Sequence, residues 1–289
     1  MRNTILLIAF TLSGLFSMAQ NGNTKDPNGK GALYVHWGYN RTGYTKSDLR
    51  IVGPGYDLTM KNAKAHDNPY PFSAENYFSP ARLTIPQFNL RIGYNYKKNW
   101  SISFGYDHMK YLFANGNQVN LHGHVDPGVD TVTNFSGDYN GEAYSSNRNT
   151  FHYENSNGLN YIRFELTHTK NIFSLGRKGQ FGLSSQAGVA TGFIFSVNDL
   201  NFAGQHDMST YSISGYGVSA HAGLRLEFFK HFYIQPNVSG GFLHQLHVRT
   251  RPEDRNAYAR QSFGYYEYNF VVGGIFYLKG AEDCDCPKW

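Results

Sequence analysis

The clearest pattern in the chain is an alternation of large apolar or aromatic residues with polar ones over residues 89–111. Successive side chains of a β-strand point to opposite faces, so each run presents one apolar and one polar face. Only Lys97, Lys98 and Asn99 separate the two runs. The segment therefore predicts a β-hairpin. Its apolar face consists of Leu90, Ile92, Tyr94, Tyr96, Trp100, Ile102, Phe104 and Tyr106.

The same alternation recurs with regular punctuation and predicts eight strands. They cover residues 31–41, 85–96, 100–125, 158–168, 181–193, 216–229, 231–242 and 263–278. Short turns at 97–99, 174–179 and 230–231 alternate with long polar loops at 42–84, 126–157, 198–212 and 250–260. The segment 49–60 is itself a hairpin pattern around Gly53-Pro54-Gly55. It either stands above the barrel in the first long loop or adds two strands, which gives ten.

Composition changes the interpretation of this alternation. The chain of 289 residues contains 22 Tyr, 22 Phe and 31 Gly, and its apolar residues sit at alternate positions instead of forming continuous core segments. No run after the N-terminus approaches 18 consecutive apolar residues, which argues against a membrane-spanning helix there. An apolar outer face that alternates with a polar lumen is typical of a transmembrane β-barrel. We therefore predict an all-β fold: a single antiparallel transmembrane β-barrel with short periplasmic turns and long extracellular loops.

The N-terminus predicts export. Arg2 is followed by an apolar run from Ile5 to Phe16 and by Ser17-Met18-Ala19, a small-residue cleavage pattern. The run is too short to span a membrane, so residues 1–19 are interpreted as a signal peptide. The predicted organisation continues with a periplasmic segment at 20–30, the outer-membrane barrel at 31–279 and a periplasmic tail at 280–289. An even strand number places both termini in the periplasm.

By architecture, this pattern resembles the small bacterial outer-membrane β-barrel proteins of the OmpA-like, OmpW-like and PagL-like group. The resemblance covers residues 31–279 and depends on the strand pattern, because no family signature of catalytic grade is present. It implies a location in the bacterial outer membrane, with contact to lipid and lipopolysaccharide.

The polar face of the predicted strands carries charges of both signs. They are three arginines and four carboxylates: Arg91, Asp107, Arg163, Glu165, Arg225, Glu227 and Glu267. An eight-stranded barrel is just wide enough for its side chains to fill it. Unpaired charges in such an interior are costly, whereas an open pore more often shows a ring of one sign. We therefore expect a paired, plugged lumen.

One segment offers candidates for catalysis. His152, Glu154 and Ser156 lie within five residues at the predicted external mouth, and Glu165 follows along the strand. PagL-like lipid A deacylases use a His/Ser/Glu arrangement, in which a base activates the serine. Ser156 is four residues after His152, which departs from the closer spacing of that family. The alternative is a polar strand end without catalytic chemistry.

Two other segments suggest ligation. His122 and His124 share one face of an extended strand, with Asp126 following in register, and such a set can ligate a transition metal. Hydrated histidines near a loop are the alternative, and no metal or other cofactor is predicted. Cys284 and Cys286, the two cysteines, are too close in sequence for an unstrained bridge; the tail is an exposed segment, half of a soft metal site or a contact to a partner.

Positive residues concentrate in or beside the predicted external loops. They are Lys61, Lys64, Arg148, Arg249, Arg251, Arg255 and Arg260. They either hold the phosphates of outer-leaflet lipopolysaccharide or are ordinary solvated charges. The compartment argues against nucleic acid as a partner. The sequence favours a structural or interaction role, through lipopolysaccharide or within a larger outer-membrane complex; the alternatives are a lipid A-modifying hydrolase and a narrow pore or transporter.

Overall fold

The computed structural model describes residues 25–131, 135–176, 179–204, 206 and 209–278. These residues form thirteen strands and one short helix. The strands are β1 (Ala32–Tyr44), β2 (Ser47–Gly53), β3 (Tyr56–Ala63), β4 (Ala65–His66), β5 (Phe88–Lys97), β6 (Trp100–Phe113), β7 (Gln118–Val125), β8 (Gly137–Ser145), β9 (His152–Leu175), β10 (Phe181–Asn201), β11 (Thr210–Phe228), β12 (Phe232–Arg249) and β13 (Tyr258–Tyr277). The helix, α1 (Ala74–Phe78), begins after the capping residue Ser73. No helix among the described residues is long and apolar enough to cross a membrane.

Eight of the strands close into a ring. In spatial order they are β1, β5, β6, β9, β10, β11, β12 and β13, and every pairing is antiparallel. The ring closes where β1 pairs with β13, from Ala32 opposite Tyr277 to Tyr44 opposite Tyr265. Closure removes free sheet edges from the ring, so its backbone groups pair within the barrel. The predicted eight-stranded antiparallel barrel is confirmed.

The two faces of the ring have opposite chemistry. On the predicted hairpin, Ile92 and Phe104 lie opposite each other and point outward, with 51% and 46% of their surface exposed. Their neighbours Arg91 and Ser103 point inward and are buried. The barrel is therefore apolar outside and polar inside, which is the reverse of a soluble barrel.

The remaining sheet rises above one end of the ring. The N-terminal end of β13, Tyr258–Arg260, pairs with β2. The order then continues through β3, β7 and β8. We call these four added strands the crown. The hairpin at 49–60 is therefore β2–β3 of the crown, and the barrel has eight strands instead of ten.

Two sequence expectations need correction. The predicted strand at 100–125 is two strands, because the chain turns at Gly116, whose φ is +71°. β6 belongs to the barrel and β7 to the crown. The predicted loop at 126–157 contains β8 and the N-terminal residues of β9, which begins at His152. The two longest segments between barrel strands thus carry the strands β2–β4 and β7–β8.

An apolar core fills the crown end of the barrel. Side chains of β2, β3, β6, β7 and the upper parts of β9, β10, β12 and β13 meet there. Its largest fully buried members are Tyr111, Tyr153, Tyr161, Phe151, Phe263, Leu49, Ile51, Leu58, Met60, Met109 and Leu159. Burial of these side chains fixes the crown on the barrel mouth.

Candidate functional site

The centre of the lumen holds a network of four charged side chains. Arg91 contacts Asp107 at 2.6 Å and Glu165 at 2.7 Å. Arg163 contacts Asp107 at 3.1 Å and Glu165 at 2.7 Å. All four side chains are at most 6% exposed. Each cation therefore faces two anions, and the net charge of the network is zero.

The strand pattern explains why these four residues meet. Arg91 of β5 lies beside Gly105 of β6, which leaves room for the guanidinium over the glycine backbone. Gly105 in turn pairs with Arg163 of β9. A Cβ added at Gly105 would lie 2.7 Å from the Arg91 side chain, so a larger residue would displace it. The absence of a side chain at Gly105 therefore leaves the space that the Arg91 guanidinium occupies.

The other three predicted lumen charges are buried elsewhere. Arg225 donates to Gln235 at 2.8 Å and lies 4.3 Å over the ring of Tyr233. Glu227 accepts a hydrogen bond from Ser184 at 3.1 Å. None of the ion pairs found in the described part of the chain includes these two charges.

Glu267 is connected to the network through an amide. Asn89 donates to Glu267 at 3.1 Å and to Asp107 at 2.5 Å. Asn269 donates to the same Glu267 oxygen at 2.9 Å. The predicted set of seven charges is therefore one group of four with three satellites, of which Glu267 is the linked one.

The mouth of the ring opposite the crown is covered by the segment before β1. Asn28 accepts from the backbone of Asn99 at 2.7 Å and donates to Ser184 at 3.3 Å, so it touches both the β5–β6 turn and β10. Asn95 donates to the Pro27 carbonyl at 3.1 Å. Asn28 is only 3% exposed. The residues from 25 to 31 thus extend across this end of the ring.

Little free space remains between the two ends. The lumen cavity among His36, Arg91, Glu165 and Arg225 has a volume of about 20 Å³. This is room for about one water molecule. Towards the crown the apolar core follows directly. The lumen is therefore filled by side chains from the charge network to the crown.

Sequence reasoning missed a buried polar chain beside that core. Tyr111 donates to Gln261 at 2.9 Å, Gln261 donates to Gln245 at 2.8 Å, and Gln245 donates to Ser196 at 2.9 Å. These residues come from four different strands. The signal was present in the glutamines at inward positions of the alternation, but the predicted strand ends stopped short of them.

The catalytic candidates contact one another, but the serine does not contact the histidine as it would in a hydrolase. Glu154 lies between the other two: its carboxylate is 3.1 Å from His152 Nε2 and accepts from Ser156 Oγ at 3.3 Å. Burial raises the pKa of Glu154, but the hydrogen bond and charge of His152, the charge of Arg148 and the hydrogen bond of Ser156 together lower that pKa overall. Glu165 is held in the lumen network. A serine needs direct contact with its base to be activated, and here Ser156 bonds to the carboxylate and to Asn68 instead.

The metal candidates lie on the crown. His122 and His124 flank Gly123 of β7 and pair with residues of β3 and β8, and Asp126 follows the strand in an exposed position. Across the described ranges, no group of three or more His, Cys, Asp or Glu side chains is placed to hold a metal ion. Residues 1–19 and the tail with Cys284 and Cys286 lie outside the described residues.

Comparisons with known proteins concern the architecture. No family model and no curated protein matches the chain. The solved structure of the outer membrane protein OprG from Pseudomonas aeruginosa aligns with 88% of this chain and 100% of its own, at 10% identity and a TM-score of 0.38. Neisserial surface protein A aligns with 86% of this chain and 100% of its own, at 8% identity and a TM-score of 0.39. The N-terminal β-barrel domain of OprF from Pseudomonas aeruginosa aligns with 86% and 99%, at 11% identity and a TM-score of 0.31. At these identities the likeness extends to the barrel fold alone.

Proposed function

We propose that the protein is an outer-membrane β-barrel with a closed lumen that anchors the crown at the cell surface. Its role is structural or interactive, through contact with lipopolysaccharide or as a subunit of a larger outer-membrane complex. The observation that carries this proposal is the filled lumen, which the four-charge network and the apolar core occupy and whose other mouth the segment 25–31 crosses.

A bilayer is the environment that suits the outer surface. Along β13 the outward side chains are Phe276, Val272, Phe270, Tyr268 and Tyr266, all at least 40% exposed. A strand rises about 3.3 Å per residue, so this stretch, tilted by about 40°, spans about 25 Å of height. That is the height of the apolar band of outer-membrane barrels. In water, so large an apolar belt would drive association.

The filled lumen argues against a pore. An ion that crossed it would have to separate Arg91 and Arg163 from Asp107 and Glu165, then pass the apolar core. Breaking one buried pair costs about 3–5 kcal/mol, and no solvated path replaces it. The order of contacts does not favour the hydrolase alternative, because Ser156 bonds to the Glu154 carboxylate, and His152 contacts the same carboxylate instead of the serine.

Planar-bilayer recording tests the closed lumen. The purified full-length chain, inserted at a density verified by surface labelling, is expected to give no discrete conductance steps. A general porin in the same bilayer is the positive control. Reproducible single-channel steps from the protein would refute the anchor and favour the pore.

Labelling of intact cells tests the location independently. A tag after Gly128, in the turn between β7 and β8, is expected to bind antibody on unbroken cells. A tag at Lys98, in the β5–β6 turn at the other end of the ring, is expected to react only after the envelope is opened. The reverse result would invert the proposed orientation.

A further inference from the structure

A cleft lies on the outer surface where the crown joins the barrel wall. It has a volume of about 560 Å³ and opens between β2–β3 and the ends of β12 and β13. Polar and cationic side chains line it, including Lys46, Arg50, Thr59, His244, Arg260 and Ser262. The cleft is thus a cationic recess on the same outward face that carries the apolar belt.

Two arginines of the cleft face each other across the sheet. Arg50 of β2 and Arg260 of β13 are direct register partners. Like charges placed directly opposite on a sheet destabilise the pairing. Asp57 compensates Arg50 through two hydrogen bonds of 2.7 and 2.5 Å. That ion pair lowers the pKa of Asp57, despite the opposing effect of its partial burial.

The remaining positive charge has no such partner. In the described part of the chain, neither Lys46 nor Arg260 takes part in an ion pair. The one acidic residue in the lining, Asp48, accepts from the backbone of Asn62 at 3.2 Å. The cleft therefore carries a net positive charge, and an anion between the two arginines would relieve their repulsion.

The depth of the cleft is set by β13. Towards the crown, the run of outward apolar positions on this strand stops at Tyr266, and the next outward positions are Gly264, Ser262 and Arg260, followed by Tyr258. Aromatic residues mark the boundary between hydrocarbon and headgroups. Ser262 and Arg260 follow that boundary at the crown end. The cleft thus lies at the headgroup level of the outer leaflet.

We infer that the cleft binds a phosphate group of an outer-leaflet glycolipid. This inference rests on the proposed placement of the crown outside the outer membrane. The planar guanidinium group of Arg260 supplies paired N–H donors that match phosphate oxygens, and Lys46 adds a second cation. Arg50, whose Nε and Nη2 are bonded to Asp57, adds positive charge and its Nη1 donors. The acyl chains lie along the apolar wall below Tyr266, while the hydroxyls of Thr59 and Ser262 face the sugar.

The positive residues predicted from sequence to face lipopolysaccharide do not all contribute to this cleft. Arg249 donates to the carbonyls of Arg251 and Pro252, so its charge closes a turn of its own loop. Arg251 donates to the carbonyl of Ala203 at 2.6 Å and lies 5.7 Å over the ring of Tyr56. Both guanidinium groups are therefore engaged by groups of the protein itself. Arg260 is the member of the predicted set that faces the cleft.

Lipid binding by matched variants tests the site. The full chain, folded in detergent micelles, is titrated with bisphosphorylated lipid A and with dephosphorylated lipid A. A third titration uses phosphatidylglycerol at the same total negative charge as the bisphosphorylated lipid A. Arg260→Gln and Lys46→Gln are each expected to weaken binding of bisphosphorylated lipid A about fivefold, which corresponds to about 1 kcal/mol per cation. Arg255→Gln removes the same charge from an exposed position outside the cleft and is expected to leave binding unchanged.

The outcomes separate the site from the proposed function. Heat-modifiable gel migration first shows that each variant is folded. Equal losses for Arg260→Gln and Arg255→Gln, or equal binding of phosphatidylglycerol, would overturn the glycolipid site and leave the closed barrel untouched. Failure of the tag after Gly128 to label intact cells would overturn the proposed orientation, whatever the micelle titration gives. Loss that is confined to the cleft variants and specific to phosphorylated lipid A supports the inference.

Discussion

Removing one carboxylate from the lumen network should destabilise the whole barrel. Glu165 accepts from Arg91 at 2.7 Å and from Ser103 at 2.9 Å, and it contacts Arg163 at 2.7 Å. Glu165→Leu would leave two buried guanidinium groups facing the single carboxylate of Asp107. Two unit charges about 4 Å apart interact by about 4 kcal/mol at an effective dielectric of about 20. We therefore expect the free energy of unfolding to fall by about 3–5 kcal/mol, the usual cost of breaking a buried pair.

The double variant separates pairing from simple loss of volume. Arg163→Leu combined with Glu165→Leu removes one charge of each sign and leaves Arg91 paired with Asp107 at 2.6 Å. Replacing a buried pair by apolar residues is often nearly neutral. The double variant should therefore be more stable than the sum of the two single effects predicts, by a coupling free energy of about 0.5–3 kcal/mol.

The assay is equilibrium unfolding in urea of barrels folded into lipid vesicles, followed by heat-modifiable migration on a gel. Glu75→Leu is the matched control, because Glu75 pairs with Arg82 at 3.0 Å and is 70% exposed. Exposed pairs contribute about 0–1 kcal/mol, so this variant should unfold like the parent. If Glu165→Leu shifted unfolding no more than Glu75→Leu, or if the double variant showed strict additivity, the paired interior would be refuted.

Three further predictions test the surface and the crown. Phe104→Arg places a charge in mid-bilayer and should cost about 2–4 kcal/mol in vesicle folding titrations, whereas Tyr96→Arg, close to the β5–β6 turn, should be milder; equal damage would contradict the depth assignment. Protease added to intact cells should cut near Gly128 and spare Lys98, and cleavage at Lys98 would contradict the orientation. Because the folded-state pKa of Asp57 is lowered, its ion pair stabilises the crown fully above the usual value of 3.8 and progressively less as the pH falls below it. Hydrogen exchange in β2–β3, corrected for intrinsic rates, should therefore rise below that pH, and an unchanged exchange pattern would speak against the ion pair.

The alternation of apolar and polar residues determined the barrel and most of its strands. Ile92 and Phe104 were predicted to face outward and Arg91 to face inward, and the structure places them so. The reason is physical: a strand has a side-chain period of two, and a barrel in a bilayer needs one apolar face along every strand. The short turns at 97–99 and 230–231 could also be predicted from the sequence, because so few residues separate the alternating runs there.

The tertiary structure decided what the alternation cannot distinguish. Strands of the crown have the same period of two as strands of the barrel, so the hairpin at 49–60 was ambiguous and β7 was merged with β6. Only the ring closure of β1 on β13 excluded a ten-stranded barrel. Local pattern records which face a residue occupies, whereas membership of the ring depends on pairing between distant strands.

The same limit applies to site residues on different strands. The contacts of His152, Glu154 and Ser156 fall outside this limit, because they join residues two apart within β9 and follow from the strand period. The opposed pair Arg50 and Arg260 lies 210 residues apart in sequence and exists only because β2 joins the end of β13. Charge and face are properties of one strand and can be predicted from it; which charges meet is a property of the sheet register, which only the folded chain defines.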